Sequence, residues 1–366
     1  MRKKLVLKKQ KSKPDYLLLL LGILLTLFGV VMIYNASVVE AFRDFQDKFF
    51  YLKYQSQWAA IGFVMMILFT FLPLKLLKTI SLPAFVITLF LLIAVLIPGI
   101  GIRALGASRW LKVGSFSLQP SEILKLTFIL YLSNLLSKKK PFLSFFLISG
   151  LVFTLIMLEP DLGTAVVILT SGFAVFFISG ASIRSLLTVF TTGLIGFVLL
   201  IFSSEYRRQR LLTFLNPTRD PLGVSYHLRQ ILIALGSGGL FGLGLGRSRQ
   251  KYEFLPEVTT DSIFAIIAEE LGFIGAALII LLFMILIYRG LKIIKNAPDD
   301  FSRLLSTGII SWLAIQTFIN LSAMVSLVPL TGVPLPFISY GGSSLVLSLV
   351  AIGILVNISK YSLKHR

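Results

Sequence analysis

Long apolar runs alternate with short polar segments along nearly the whole chain, from residue 16 to residue 358. A helix needs ~20 predominantly apolar residues to cross the hydrocarbon core of a bilayer, and these runs approach that length. The ten runs are Tyr16–Tyr34, Trp58–Leu74, Ile80–Ile97, Ser121–Leu136, Phe142–Leu158, Thr164–Ile178, Leu186–Phe202, Ile263–Tyr288, Leu304–Val328 and Ser344–Ile358. The pattern predicts an all-α integral membrane protein of about ten transmembrane helices, forming one polytopic domain over residues 15–360.

The composition agrees with a membrane protein. Of the 366 residues, 56% are hydrophobic and only 14% are charged, and the mean hydropathy is +0.90. Soluble domains are about 25% charged, and a soluble core of this size could not bury so much apolar surface. The chain has no cysteine, which excludes disulfides, thiolate metal sites and a cysteine nucleophile.

The net charge of +19 is best explained by membrane topology. Cytoplasmic loops of membrane proteins are enriched in lysine and arginine, so basic short turns indicate the inner side. On one side of the predicted bundle lie a basic arm (1–14), short basic turns and a basic tail (361–366). We therefore expect a multi-pass protein of the cell membrane with both termini in the cytoplasm, and no nucleic-acid partner.

The loops on the opposite side are longer. They are Asn35–Gln57, Pro98–Pro120, Ser203–Asp261 and Pro329–Ser343. The Ser203–Asp261 loop, between the seventh and eighth spans, carries eight basic and five acidic residues. A basic extracytoplasmic loop runs against the charge bias and suggests an anionic ligand. Long loops are exempt from that bias, so a neutral explanation stays open.

Several ionisable residues lie near the membrane, where they are costly and need a reason. Glu122 and Lys125 are three residues apart and share a helix face, which favours a structural ion pair. Asp161 begins the sixth span in EPDLGTA, where a helix cap and a functional role are both open. Glu269 and Glu270 enter the eighth span and face either a polar interior or another helix.

Asp261 begins the eighth span in the segment FLPEVTTDSIFAIIAEELG. Thr259, Thr260 or Asp261 could cap the helix through a side-chain oxygen. The alternative is a catalytic base at the water–membrane boundary, with Glu257 as a second carboxylate nearby. The residues alone leave both interpretations open.

Three further segments have the character of a binding surface. Arg109, Trp110 and Lys112 combine cations with an aromatic ring, which suits a phosphate-bearing amphipathic ligand or a lipid headgroup anchor. The glycine-rich run ALGSGGLFGLGLGRSRQK ends at Lys251, and exposed amides with basic side chains can hold a pyrophosphate. The segment PLTGVPLPFISYGGSS is irregular, and such backbone occurs at membrane depth only when buried in protein or lining a cavity. Together they predict an outer cavity for an anionic lipid.

Four long motifs, in order, resemble the SEDS family (shape, elongation, division and sporulation). They are GASRWLKVGSFSLQPSEILKL, EPDLGTA, the stretch from YRRQRLLTFLNP to FLPEVTTDSIFAIIAEELGFIG, and PLTGVPLPFISYGGSS. The wording of GLGLGRSRQK and YRRQRLLTFLNP is more similar to the division members than to the elongation members. Departures from the family pattern are Ser262, where phenylalanine is usual, Val258 and Thr259, and the residues that flank Gln230.

The resemblance implies a peptidoglycan glycosyltransferase that polymerises lipid II at the outer face of the membrane, with a role in septal synthesis during cell division. It makes Asp261 the catalytic residue, as general base or as orienting group for the attacking hydroxyl. The substrate-binding residues expected with it are Arg109, Trp110, Lys112, Arg210, Gln230, Lys251, Glu257, Ser339, Gly341, Gly342 and Ser343, and the structural polar residues are Glu122, Lys125 and Asp161.

The resemblance also implies partners and leaves alternatives. A class B penicillin-binding protein transpeptidase and other divisome membrane proteins are the expected partners. A divalent cation, Mg or Mn, is compatible with the pyrophosphate chemistry, although no ligand set is legible in the sequence. The alternatives are a lipid II flippase, an elongation-type polymerase and a non-catalytic scaffold.

Overall fold

The computed structural model describes residues 13–104, 107–114, 116–138, 142–216, 225–252 and 255–361. Its helices are α1 (Tyr16–Phe45), α2 (Phe50–Phe71), α3 (Leu74–Leu96), α4 (Pro120–Ser137), α5 (Phe142–Leu158), α6 (Leu162–Ile178), α7 (Ile183–Phe202), α8 (Glu205–Leu215), α9 (Ser225–Ser237), α10 (Ile263–Lys295), α11 (Asp300–Met324) and α12 (Gly342–Ser359). Most of the basic arm and the tail beyond Tyr361 lie outside the described residues, as do residues 217–224 of the Ser203–Asp261 loop.

Ten of these helices coincide with the ten predicted spans, and the α-helical membrane class is confirmed. Seven of them, namely α1, α2, α3, α7, α10, α11 and α12, are long and apolar enough to cross a membrane by themselves. Helices α5 and α6 are apolar but shorter. Helices α11 and α12 are buried along most of their length, whereas no residue of α7 is buried.

The first predicted loop, Asn35–Gln57, is mostly helical. Helix α1 continues to Phe45 and α2 begins at Phe50, so only a short turn joins them. Gln46 closes α1 in the left-handed region, with φ 54°, and the rings of Phe45 and Phe50 stack across the turn with centroids 3.6 Å apart. The apolar pattern ended the span at Tyr34 because the helix goes on beyond it with polar residues.

The loop Pro98–Pro120 contains a small antiparallel sheet that the all-helical prediction lacks. Its strands are β1 (Gly101–Ala104), β2 (Ala107–Val113) and β3 (Phe116–Leu118), in the order β1-β2-β3. Gly114 adopts φ 64° in the turn after β2, a conformation that costs glycine little. The sheet lies against α3 and α4, at the end of the bundle where Asp261 also lies.

The described part of the Ser203–Asp261 loop contains two helices, α8 and α9. Helix α9 packs on α10 and buries Leu228, Ile231 and Ala234. The glycine-rich chain that follows crosses α10 at close range: a Cβ at Gly238 would lie 2.1 Å from the carbonyl oxygen of Ala268. Helix α9 and the glycine-rich run are therefore packed parts of the domain.

The two ends of the helix bundle differ in the contacts that hold the helices together. At the end opposite to Asp261, the Asp15 carboxylate caps α1 and forms an ion pair with Arg289 of α10 at 2.7 Å. The backbone N–H of Asp15 donates to Ser359 Oγ of α12 at 2.9 Å. We call the two ends the Asp15 end and the Asp261 end. The three long helices converge at the Asp15 end, and the loops and the sheet gather at the Asp261 end.

Candidate functional site

The carboxylate of Asp261 is not a helix cap. Ser262 is the N-cap of α10 and makes no side-chain capping bond, and the described contact of the Asp261 carboxylate is with the Thr260 hydroxyl, 3.4 Å from Oδ1. The backbone carbonyl of Asp261 accepts a hydrogen bond from Asn320. The sequence left open a helix cap and a catalytic base. The Asp261 carboxylate makes no capping bond in the structure, so it is free of that role.

A second carboxylate shares the hydroxyl next to Asp261. Thr260 Oγ1 lies 2.8 Å from Glu257 Oε2 as well as 3.4 Å from Asp261 Oδ1. Burial and the negative charge of Glu257 raise the pKa of Asp261 to about 6, against the opposing charge of Arg210. At neutral pH Asp261 is therefore mostly ionised yet has more affinity for a proton than an ordinary aspartate, as suits a general base.

The segment 330–334, between α11 and α12, forms one wall beside this carboxylate. A Cβ built on Gly332 would lie 3.9 Å from Asp261 Oδ2. Arg210 of α8 donates from Nη1 to the carbonyl oxygen of Leu330 at 2.9 Å. Asn320 of α11 donates from Nδ2 to the carbonyl oxygen of Val333 at 2.9 Å. Two predicted site residues, Asp261 and Arg210, therefore lie beside the same segment, 330–334. The sequence predicted only that this segment is irregular.

The sequence assigns no role to His227, which lies on α9. In the structure its ring contacts the residue just before α10. Its Nε2 lies 2.7 Å from Ser262 Oγ, and the ring is partly buried. Burial and the nearby charge of Arg210 lower the pKa of His227 to about 4. The imidazole is neutral at physiological pH, so it can orient Ser262 but carries no positive charge there.

Arg109 holds the turn between α5 and α6. It donates from Nε to the carbonyl oxygen of Glu159 at 2.9 Å and from Nη2 to that of Pro160 at 2.6 Å. Lys112 is exposed and Trp110 is half-buried on the same strand. Asp161 caps α6 by accepting a hydrogen bond from the backbone N–H of Thr164 at 3.0 Å. Of the two roles that the sequence left open for Asp161, the structure shows the helix cap.

Glu159 was missed by the sequence reading. Its side chain is fully buried, and neither carboxylate oxygen accepts a hydrogen bond from the described residues. Burial and the charge of Asp161 raise the pKa of Glu159 to about 8, so the side chain is protonated at neutral pH. An ionisable residue directly after an apolar span was the signal that could have singled it out.

Lys251 lies in a buried polar cluster at the end of the glycine-rich run. Its Nζ lies 3.0 Å from Asn35 Oδ1, 2.7 Å from the carbonyl oxygen of Gly246 and 3.2 Å from Glu270 Oε1. Glu270 also accepts from the backbone N–H of Ser248 and from Asn35. The acids of the eighth span therefore face the loop that crosses them, and Lys251 is already neutralised within the protein.

A cavity of about 180 Å³ opens beside this cluster. It is lined by Glu40, Arg43, Lys251, Leu255, Pro256, Glu257 and Val258. Lys251 and Glu257 are thus the two predicted substrate-binding residues that share one cavity wall. Gln230 is half-buried on α9.

The four predicted residues of the last loop, Ser339, Gly341, Gly342 and Ser343, contact other helices. Gln55 of α2 donates to the carbonyl oxygen of Ser339 at 3.4 Å and accepts from the Gly341 N–H at 3.3 Å. A Cβ at Gly342 would lie 2.1 Å from the Trp58 ring, and Ser343 Oγ accepts from the Gln119 N–H at 3.2 Å. These contacts fix the loop on α2 and α4, and their part in substrate binding stays a prediction.

Glu122 and Lys125 form a buried ion pair at 2.7 Å, as their spacing favours. Lys125 also donates to Gln316 Oε1 at 2.9 Å, and Trp312 donates to the same oxygen at 2.7 Å. Gln316 in turn donates to the carbonyl oxygen of Pro334 at 2.8 Å. The pair therefore belongs to a network that reaches the wall segment 330–334.

The acidic side chains offer at most a partial metal site. Over the described ranges, no three histidine or acidic side chains converge closely enough to hold a metal ion. Mg²⁺ often binds one or two carboxylates and completes its shell with water and substrate phosphates. The divalent cation that the sequence leaves compatible with the pyrophosphate chemistry is therefore assigned no protein ligands.

Comparison with known proteins identifies the family. A family model described as "Cell cycle protein", covering FtsW, RodA and SpoVE, matches residues 15–364. The chain is 45% identical over 361 residues to Stage V sporulation protein E of Bacillus subtilis (strain 168), covering 96% of this chain and 99% of that one. It is 39% identical over 353 residues to the probable peptidoglycan glycosyltransferase FtsW of Geobacter sp. (strain M18), covering 94% and 96%.

Solved structures agree with these relatives. A chain from a structure described as a peptidoglycan synthase complex that coordinates polymerization and crosslinking superposes with a TM-score of 0.76 at 29% identity, covering 94% of this chain and 97% of that one. The rod shape determining protein RodA of Thermus thermophilus superposes with a TM-score of 0.69 at 27% identity, covering 94% and 96%. The resemblance to the SEDS proteins is confirmed, and the chain belongs to the FtsW/RodA/SpoVE family of cell cycle proteins.

Proposed function

We propose that this multi-pass membrane protein is a peptidoglycan glycosyltransferase that polymerises lipid II into glycan strands. The observation that carries the proposal is the half-buried carboxylate of Asp261, which caps no helix and has a pKa raised to about 6. Curated relatives named peptidoglycan glycosyltransferase FtsW support the same activity.

In the proposed reaction, the 4-hydroxyl of the acceptor sugar attacks the anomeric carbon of the donor. A new C–O bond forms there, the bond from that carbon to the pyrophosphate oxygen breaks, and undecaprenyl pyrophosphate leaves with the electron pair. Asp261 accepts the hydroxyl proton as the bond forms. The Thr260 hydroxyl has a single proton to donate, and it lies closer to Glu257 Oε2, at 2.8 Å, than to Asp261 Oδ1, at 3.4 Å, so it orients chiefly the Glu257 carboxylate.

The leaving group needs positive charge. Arg210 is the cation that the geometry supports best, because its charge acts on Asp261 while its Nη1 holds the wall segment at Leu330. Arg109 and Lys112 lie at the same end of the bundle, and Lys112 is exposed. Arginine suits bidentate phosphate binding and lysine supplies a point charge, so Arg109, Lys112 and Arg210 form the proposed pyrophosphate set. Lys251, which the sequence also predicted for this role, is instead paired with Glu270.

The proposed orientation puts the Asp261 end outside the cytoplasmic membrane and both termini in the cytoplasm. It follows from the basic turns at the Asp15 end, which contain Lys75, Lys78 and Arg289. A class B penicillin-binding protein is the proposed partner, since a structural neighbour comes from a complex that couples polymerization with crosslinking. The division role rests on the relatives named FtsW, while the similarity to a sporulation protein makes a sporulation role the second candidate.

Purified protein incubated with lipid II in detergent or liposomes tests the activity. The proposal expects glycan polymers that are resolved by gel electrophoresis and are removed by a muramidase. Transfer of labelled lipid II between the leaflets of a liposome, without any polymer, would replace the polymerase by the flippase alternative. Neither polymer nor transfer, from a protein that folds and binds lipid II, would favour the scaffold.

A further inference from the structure

Asn320 lies in the apolar span α11, 1% exposed, at the level where α10 begins. Its Nδ2 lies 2.9 Å from the carbonyl oxygen of Asp261 and 2.9 Å from the carbonyl oxygen of Val333. A primary amide has two N–H donors, so both bonds can form together. One side chain thus joins the residue before α10 to the segment 330–334 that walls the Asp261 carboxylate.

We propose that Asn320 is a positioning residue, which holds the backbone of Asp261 at a fixed distance from the wall segment so that the carboxylate meets the acceptor hydroxyl. The inference rests on the proposed function of the site, and it goes beyond it by assigning a role to a residue of α11 that touches no substrate.

The neighbouring turn of α11 supports this assignment. Gln316, four residues earlier on the same helix face, donates to the carbonyl oxygen of Pro334, the residue after Val333. Two amides in successive helical turns therefore hold successive carbonyls of the wall segment. Of the two amides, only Asn320 also bonds to Asp261. Gln316 therefore holds the wall segment alone, whereas Asn320 holds both the wall segment and the backbone of Asp261.

The wall lies close enough for its position to matter. A Cβ on Gly332 would be 3.9 Å from Asp261 Oδ2, and Gly332 adopts φ 69°, a left-handed conformation that favours glycine. On its other side, a Cβ on Gly163 of α6 would lie 2.8 Å from the carbonyl oxygen of Thr331. The wall is thus packed between α6 and the carboxylate, and Asn320 fixes the spacing.

The decisive variant is Asn320→Leu, which keeps the size of the side chain and removes both donors. A misplacement of about 1 Å can cost ~10²-fold in rate. We expect kcat for lipid II polymerisation to fall by about that factor while KM changes little, because Asn320 is buried and its Nδ2 is bound to two carbonyl oxygens of the protein. The matched control is Thr317→Val, also on α11, whose buried hydroxyl has no hydrogen-bond partner among the described residues; it should leave kcat unchanged.

A second measurement does not depend on activity. Hydrophobic carbodiimides modify protonated carboxyl groups, so labelling of Asp261, followed by mass spectrometry against pH, reports its titration. We expect a midpoint near 6 in the wild-type protein and a lower midpoint in Asn320→Leu, since a released carboxylate gains solvent. Asn320→Ala, which also removes the donating amide without adding a charge, serves if the leucine variant does not fold.

Unchanged kcat, or a slower enzyme whose labelling midpoint stays at the wild-type value, would overturn the positioning role and leave Asn320 as a packing residue. If the midpoint moves while the wild-type protein makes no polymer from lipid II, the positioning role stands and the proposed function fails.

Discussion

His227 Nε2 lies 2.7 Å from Ser262 Oγ, and this contact joins α9 to the N-cap residue of α10, which directly follows Asp261. The sequence places the two residues 35 positions apart. The burial that lowers the pKa of His227 to about 4 keeps the ring neutral at physiological pH. The pH dependence of activity near neutrality is therefore assigned to the carboxylates and not to His227.

Glu257→Gln should shift the acid limb of the activity profile to lower pH. The negative charge of Glu257 raises the pKa of Asp261, so removing that charge lowers it from about 6. The base is active when ionised, so activity rises with pH through this pKa, and the variant should keep activity at a more acidic pH. Polymerisation rates between pH 4.5 and 8 measure the shift, with Glu205→Gln on the exposed face of α8 as the control.

An acid limb that stays at the same pH in Glu257→Gln would mean that Glu257 exerts no electrostatic influence on the base. A limb that moves to higher pH would contradict the sign of the interaction.

Lys251→Met should destabilise the protein more than it affects lipid II affinity. Lys251 is paired with Glu270 at 3.2 Å, and both side chains are buried. Breaking a buried ion pair from one side typically costs about 3–5 kcal/mol, because the remaining charge is left without compensation. Thermal unfolding in detergent measures the loss, with Lys53→Met, whose pair with Asp47 is exposed, as the control.

The opposite outcome for Lys251→Met would contradict this prediction. Unchanged thermal stability with a weakened affinity for lipid II would show that Lys251 is chiefly a pyrophosphate ligand, as the basic end of the glycine-rich run predicts.

The membrane spans were predictable because their signal is local. Each run of apolar residues forms its own backbone hydrogen bonds in a helix, and the bilayer selects its length. Two features could not be predicted in this way, because both depart from the apolar pattern: the end of α1 at Phe45 and the strand β2. Short strands next to a turn are specified by pairing partners and not by composition.

The candidate site was predictable only in part. Asp261 could be found from the motif around it, but the contact of its carbonyl with Asn320 spans 59 positions in the sequence. The pairing of Lys251 with Glu270 likewise depends on how the glycine-rich run crosses α10. Asn320 did leave one sequence signal, a polar amide in an apolar span, which often marks an interhelical contact.

Topology can be tested with single cysteines, because the chain has none of its own. Gln209→Cys is exposed on α8 at the Asp261 end, and Lys295→Cys is exposed at the Asp15 end. We expect a membrane-impermeant maleimide to label position 209 in intact cells and position 295 only after permeabilisation. The reverse pattern would place the Asp261 end in the cytoplasm and remove the basis for an outer active site.

The central claim is that Asp261 is the base of a lipid II polymerase. Asp261→Asn keeps the size of the side chain but cannot accept the proton. A general base typically contributes ~10²- to 10⁴-fold in rate. The exposed Asp44→Asn at the same end serves as the control.

The most direct measurement is the initial rate of glycan formation from lipid II by purified Asp261→Asn protein. Lipid II binding and thermal unfolding are measured on the same sample. We predict wild-type binding, a normal unfolding temperature and a rate lower by about 10² to 10⁴. Glycan formation at a rate close to that of Asp44→Asn, by a folded protein that binds lipid II, would contradict the catalytic role of Asp261.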